Sequence, residues 1–457
     1  MKRYMWLGIV VLVVVTAAVS IIALPKGPEW TTSSPEALEA FELAMEAQKK
    51  LYHNDVRGHL ERALELDPDF VMAKMMMVDV YRMEGDKELA QEMIEDALAA
   101  DPSQLRPRER FFLERSRAFV EERSKDITEI TARYLEEFPD DPYILNTAAN
   151  QAFSRGDNET GERLYRRLLE ISPNWVIAYN QLGYITMMQG RFAEAEEYFT
   201  SYRFIAPDQA NPHDSLGELY IVLGRYPEAA QSIETALDIK PDFWDSYDHL
   251  MLVRTLMGDT IGAQEAKADA LAAEGCPDWL DSRLGCWEQF FELEQMRAWN
   301  EIYDLRESEC LNEEYPASYP HIVLHRAASH LGDWETAQKL EEAVAAVLEK
   351  ARSHGESGKF DAITPGFLHM QGVRLALSGD LEAAEKAFND ADSHLTYRDS
   401  GLGMFKLYNR LFLVETLLAQ GRDADAHKLL ARVRAVNPVI VADFEQEGLS
   451  EMGLSRG

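Results

Sequence analysis

The chain has 457 residues, 46% hydrophobic and 27% charged, a balance that excludes a disordered polymer and suits a folded one. Its 79 acidic residues against 46 basic ones leave a formal net charge of −33, which argues against nucleic acid as a partner and against lying on an anionic lipid surface. Three cysteines are too few for a disulfide-built scaffold.

The first predicted element is a membrane span within residues 1–25. No residue from Tyr4 to Pro25 is charged, and the run includes Ile9-Val10-Val11-Leu12-Val13-Val14-Val15. As a helix rising ~1.5 Å per residue it would cross the ~30 Å hydrocarbon layer of a bilayer. Lys2 and Arg3 precede it, so the positive-inside bias keeps the amino terminus in the cytoplasm and places everything after Pro25 outside. A secretory signal cleaved near Ala18-Val19-Ser20 is the other reading, and it exports the same residues. Residues 26–34, opening with Lys26-Gly27-Pro28, read as a linker.

Beyond it a period of 34 residues runs through the chain. Pro139, Pro173, Pro207 and Pro241 keep that interval, and so do Gly156, Gly190, Gly224 and Gly258. Pro68 and Pro102 repeat it earlier. Within one period His213, Leu216, Gly217 and Tyr220 have helical spacing, and Gly224 ends that helix. Pro227 then falls in the first turn of a second helix whose apolar stripe is Ala229, Ile233 and Ala236. Gly217 and Ala229 are small enough to let the two helices approach closely. Tyr179, Leu182, Gly183, Gly190, Ala195, Phe199 and Pro207 repeat the pattern one period earlier.

This pattern closely resembles the tetratricopeptide repeat. The resemblance implies an all-α, right-handed superhelical solenoid of about eleven antiparallel helix pairs, following the amino-terminal transmembrane helix. A regular array is expected over residues 35–277. Divergent hairpins with irregular connections follow over 278–365, with breaks at 311–320 and 352–365. Looser repeats around Gly379 and Gly421 make up 366–457. A narrower resemblance rests on Thr31-Thr32-Ser33-Ser34-Pro35-Glu36-Ala37, on Leu64-Glu65-Leu66-Asp67-Pro68-Asp69-Phe70 and on Arg108-Glu109-Arg110-Phe111-Phe112. These are similar to the repeat arrays of bacterial single-span membrane signalling proteins. With only Met1 to Arg3 ahead of the apolar run, the effector domain of those proteins is expected to be missing.

The family's groove-facing positions map onto Tyr143, Asn146, Asn150 and Phe153, then Ile177, Asn180, Tyr184 and Met187. Asn211, Asp214, Glu218 and Ile221 follow, and after them Asp245 and Asp248. Asparagine amides could hold an extended peptide by its main chain, the aromatic rings offer apolar area, and the carboxylates would select Lys or Arg. The Lys and Arg residues of the family's carboxylate clamp are missing from these positions. No nucleophile elbow, phosphate loop or zinc-spaced cysteine pair points to an enzyme, and no cofactor or metal is expected. His321 and His325 stand four apart on a predicted helix. With Asp333 and Glu335 they define an alternative, an enzymatic or metal site in 276–365. A purely structural spacer is a third reading.

Export permits a disulfide. If the hairpin over 279–311 turns near Met296-Arg297-Ala298, Cys286 and Cys310 come nearest to facing one another. Cys276 with Cys310 is the second choice of pairing, and no bond at all is the alternative to both. The function expected from the sequence is a membrane-anchored, extracytoplasmic scaffold that binds a protein or peptide, basic ones included. The bilayer is met only through the first helix.

Overall fold

A computed structural model describes residues 30–121, 123–311, 317–354, 357–446 and 452–454. The predicted span from Tyr4 to Pro25 lies outside them, as do residues 312–316. Among the described residues there are 23 α-helices and no strand, and no helix is long and apolar enough to cross a membrane. The chain divides into two compact units after Ala148.

The first unit opens with α1 (Pro35–Lys50) and α2 (His53–Leu66), followed by α3 (Val71–Met83) and α4 (Lys87–Leu98). A third pair is α5 (Pro107–Val120) and α6 (Ser124–Glu137), and α7 (Pro142–Ser154) starts the next. Residues 30–34 are not the free linker expected from their composition. Trp30 is buried, with its ring edge-on to Phe41 and Tyr143. The Thr31 N–H and hydroxyl both donate to Glu109 at 2.5 Å, and the Thr32 hydroxyl and the Ser33 N–H donate to Asp67. Three dispersed sequence motifs thus form one knot, with buried Glu109 and Asp67 as its acceptors. Their carboxylates need these donors, because a buried charge without them is costly.

In the second unit residues 149–154, the end of α7, lie against α8 (Asn158–Ile171), and α9 (Val176–Met188) pairs with α10 (Phe192–Ile205). The next pairs are α11 (Ala210–Val222) with α12 (Tyr226–Ile239) and α13 (Asp245–Leu256) with α14 (Thr260–Ala272). Gly217 permits the predicted close approach: a Cβ there would lie 2.4 Å from Ile233 Cγ1. The first helix of a pair ends at Gly156, Gly190, Gly224 or Gly258, all with φ between 71° and 77°, a conformation that L-residues with side chains resist.

The divergent stretch keeps the hairpin form. α15 (Asp278–Gln295) turns at Met296–Ala298 into the short α16 (Trp299–Asp304) and a 3₁₀ turn, Leu305–Glu307. Cys286 and Cys310 form a disulfide with a Cα–Cα distance of 5.3 Å, and Cys276 is the thiol left over. α17 (Tyr319–His330) and α18 (Trp334–Ser353) come next. Pro365, expected to close an irregular connection, sits instead inside α19 (Ser357–Ser378). α20 (Leu381–His394), α21 (Ser400–Ala419), α22 (Asp423–Val436) and α23 (Pro438–Gln446) complete the chain.

The carboxy-terminal helices return to the middle of this unit. A single hydrophobic core contains Phe199, Leu216 and Ile233 together with Leu407, Phe412, Val433 and Phe444. α21 lies so close to α11 that a Cβ on Gly403 would meet Val222 at 2.6 Å. Tyr397 packs edge-on against Phe192, and Asn437 donates to the Ile221 carbonyl and to the Tyr226 hydroxyl.

Candidate functional site

The predicted groove residues lie on the first helices of successive pairs, and most of the polar ones are bonded to other residues of the chain, Tyr184 and Glu218 to each other. In the first unit Tyr143 is half-buried between the Trp30 ring and the Arg108 guanidinium, which sits 4.3 Å from its centroid. Asn146 is also half-buried. In the second unit Asn150 is exposed and accepts from the Tyr165 hydroxyl, while Phe153 and Ile177 are half-buried and Met187 and Ile221 belong to the core.

From Asn180 onward the polar residues form a ladder between neighbouring first helices. Asn180 of α9 donates to Ser215 of α11 at 3.0 Å, and Tyr184 of α9 donates to Glu218 of α11 at 2.5 Å. Asp214 of α11 accepts from Ser246 (2.6 Å) and from His249 Nδ1 (2.9 Å), both on α13. Asp248 of α13 pairs with Arg283 of α15, and Asp245 lies 3.4 Å from the same guanidinium. Asn211 turns back to the Tyr202 hydroxyl. Asp214 and Glu218 were expected to face a ligand from an open surface, yet both are buried. Partners one period along the chain, and Ser400 at the start of α21, have drawn them inside.

What remains open is a cleft of about 300 Å³. Glu218, Asp248, His249 and Asp399 give it polar walls, with Arg283 and the Ser400 end of α21. Met251, Leu252, Leu284 and Trp287 give it apolar ones. At its base His249 lies between two carboxylates, with Nε2 3.3 Å from Glu218 Oε1. Burial opposes a charge on His249, but Asp214 and Glu218 outweigh it and raise its pKa well above the ordinary value. Glu218 feels the same burial, yet His249, Tyr184 and the Ser400 N–H pull its pKa below the carboxylate range. Burial lifts Asp248 to about 6 against the pull of Arg283, and burial likewise raises Asp399. His249, Arg283, Trp287 and Ser400 were absent from the candidates read from the sequence. For His249 and Arg283 a signal existed: each stands 35 residues beyond its carboxylate partner.

The alternative site does not assemble. His321 Nδ1 meets the Ser318 hydroxyl, and His325 Nε2 meets Glu341 at 3.0 Å, with Arg374 on the same carboxylate. Asp333 caps α18 and accepts from Tyr303, and Glu335 is an exposed partner of Lys339. Each of the four has a structural partner of its own.

The sequence profile of the tetratricopeptide repeat matches residues 146–210, and a second profile of the same repeat matches 212–243. The chain therefore carries tetratricopeptide repeats over residues 146–243, with helical hairpins on both sides of them. Among solved structures it is similar to MamA (residues 41 to the end) from Desulfovibrio magneticus RS-1, at 17% identity over 37% of this chain and 95% of that one, TM-score 0.33. PilW, a type IV pilus biogenesis factor, aligns at 17% identity over 55% of this chain and all of that one, TM-score 0.31. A tetratricopeptide-repeat protein from Parabacteroides merdae aligns at 15% identity over 60% of this chain and 94% of that one, TM-score 0.33. No curated protein matches in sequence.

Proposed function

We propose that this protein is a non-catalytic interaction scaffold, anchored by residues 1–25 with its repeats outside the cytoplasm, and that it takes a basic segment of a partner protein into the cleft between α11, α13, α15 and the start of α21. The observation that carries this reading is the make-up of the cleft. Carboxylates of Glu218, Asp248 and Asp399 stand beside the Trp287 ring and the aliphatic Met251, Leu252 and Leu284. A Lys or Arg side chain needs both, acids for its head and apolar surface for its stem. The chain's own Arg283 already occupies part of this arrangement through Asp248 and Asp245. An incoming guanidinium would compete for the same oxygens.

The test is fluorescence anisotropy with Lys/Arg-rich and Asp/Glu-rich peptides of matched length. The basic set should bind, weaken with salt, and lose at least tenfold in affinity on Asp248→Asn or Trp287→Ala. Equal binding of both sets would contradict the reading. The location is supported by Lys2 and Arg3 ahead of the uncharged run, and by the Cys286–Cys310 bond, which suits an oxidising compartment. Release of the repeats as a soluble exported domain after signal cleavage is the variant of this topology. A reporter active only outside the cytoplasm, fused after Gly457, should be active. Protection of the carboxyl terminus from protease in spheroplasts would contradict export.

A further inference from the structure

We propose that Glu218 and His249, steadied by Asp214, bind one divalent transition-metal cation at the base of the cleft. This goes beyond the scaffold reading and does not depend on it. Asp214, Glu218 and His249 can each offer one donor atom such that all three lie within 4.8 Å of one another. The 3.3 Å between His249 Nε2 and Glu218 Oε1 is close to the ~3.4 Å that separates two donors at ~2.1 Å around a tetrahedral ion.

The surroundings hold these donors as a metal site holds them. A ligating histidine is fixed by giving its other N–H to a carboxylate, and His249 Nδ1 gives its proton to Asp214 at 2.9 Å. Asp214 is itself fixed by the Ser246 hydroxyl at 2.6 Å. Glu218 is oriented by the Tyr184 hydroxyl on one oxygen and by the Ser400 N–H (3.1 Å) and hydroxyl (3.2 Å) on the other. Four elements, α9, α11, α13 and α21, therefore converge to aim two side chains at one point.

Access differs among the three residues in the way the assignment needs. Glu218 and His249 line the cleft and Asp214 does not, so Asp214 acts from behind as a positioning residue. The remaining coordination positions face the open cleft, where Asp248 and Asp399 add negative charge. An imidazole nitrogen with carboxylate oxygens and no thiolate selects Zn²⁺, Co²⁺, Mn²⁺ or Ni²⁺ over Ca²⁺ and Mg²⁺, which favour all-oxygen cages.

The experiment uses the full-length chain in detergent, stripped with a chelator, dialysed and titrated with Co²⁺ and then Zn²⁺. One equivalent should bind, with visible Co²⁺ bands that Zn²⁺ removes. Glu218→Gln and His249→Gln should each weaken binding at least tenfold, and Asp214→Asn by roughly tenfold to a hundredfold. No saturable binding at millimolar Co²⁺, or unchanged affinity in the Glu218 and His249 variants, overturns the proposal. Circular dichroism checks that the variants fold. Should they not, anomalous scattering from cobalt-soaked crystals of the wild-type chain decides: an ion between Glu218 and His249 supports the site, and an ion elsewhere or none overturns it.

Discussion

Arg297 turns its hairpin with φ 51°, in the left-handed region that Gly156, Gly190, Gly224 and Gly258 occupy in the regular repeats. A side-chain-bearing residue pays ~1–2 kcal/mol there, so Arg297→Gly should raise the unfolding free energy by about 1 kcal/mol in urea titration. The opposite case is Gly217, whose missing Cβ makes room for Ile233. Gly217→Val should destabilise by ~1–3 kcal/mol, since a packed core answers added volume with shifted side chains. A full-stability Gly217 variant would show that the α11–α12 approach is looser than 2.4 Å implies. Gly217 was legible as a small residue from the 34-residue period, and the turn at Arg297 from the hairpin expected over 279–311. The use of Asp214 and Glu218 was not, because helical spacing tells which face a residue occupies and not whether a partner one period on will neutralise it.

At the scale of elements, the regular pairs were legible because glycine and proline punctuate them in register. The return of α21 to α11 was not, since no local pattern links Ser400 to Glu218, 182 residues apart. Asn437 is the clasp of this return. It donates to the Ile221 carbonyl and the Tyr226 hydroxyl and also accepts from the Val439 and Ile440 N–H groups at the start of α23. Removing it leaves buried groups unpaired, at ~1–3 kcal/mol. Asn437→Ala should therefore raise hydrogen exchange in residues 400–446 while residues 35–120 keep wild-type rates. Unchanged exchange would show that the apolar contacts of α21 hold it without the clasp. Pro365 misled for a related reason. Proline usually ends a helix, yet α19 continues through it.

Three histidines, His321 and His369 buried and His330 half-buried, give the molecule a pH dependence. Burial lowers His321 to about 4 and His330 to about 4, the latter with Arg326 and Arg297 adding repulsion, and burial with Arg326 lowers His369 to about 3. A histidine whose pKa falls on folding binds its proton more readily when unfolded. Its contribution is present above the unfolded value of about 6.5 and is lost as pH falls from there toward 4 and 3. Melting temperature should therefore drop across that window, and His369→Gln should flatten part of the slope. A parallel slope in the variant would assign the acid sensitivity to other groups.

The central claim is that the ladder of polar residues closes most of the expected binding face and leaves the acidic cleft as the place where a partner is held. Hydrogen exchange of the full-length chain with and without a bound Lys/Arg-rich peptide tests it most directly. Protection should concentrate in α13 (Asp245–Leu256), in residues 278–290 of α15 and at residues 399–403. Protection centred on Tyr143, Asn146 and Asn150, with residues 245–290 unchanged, would contradict it.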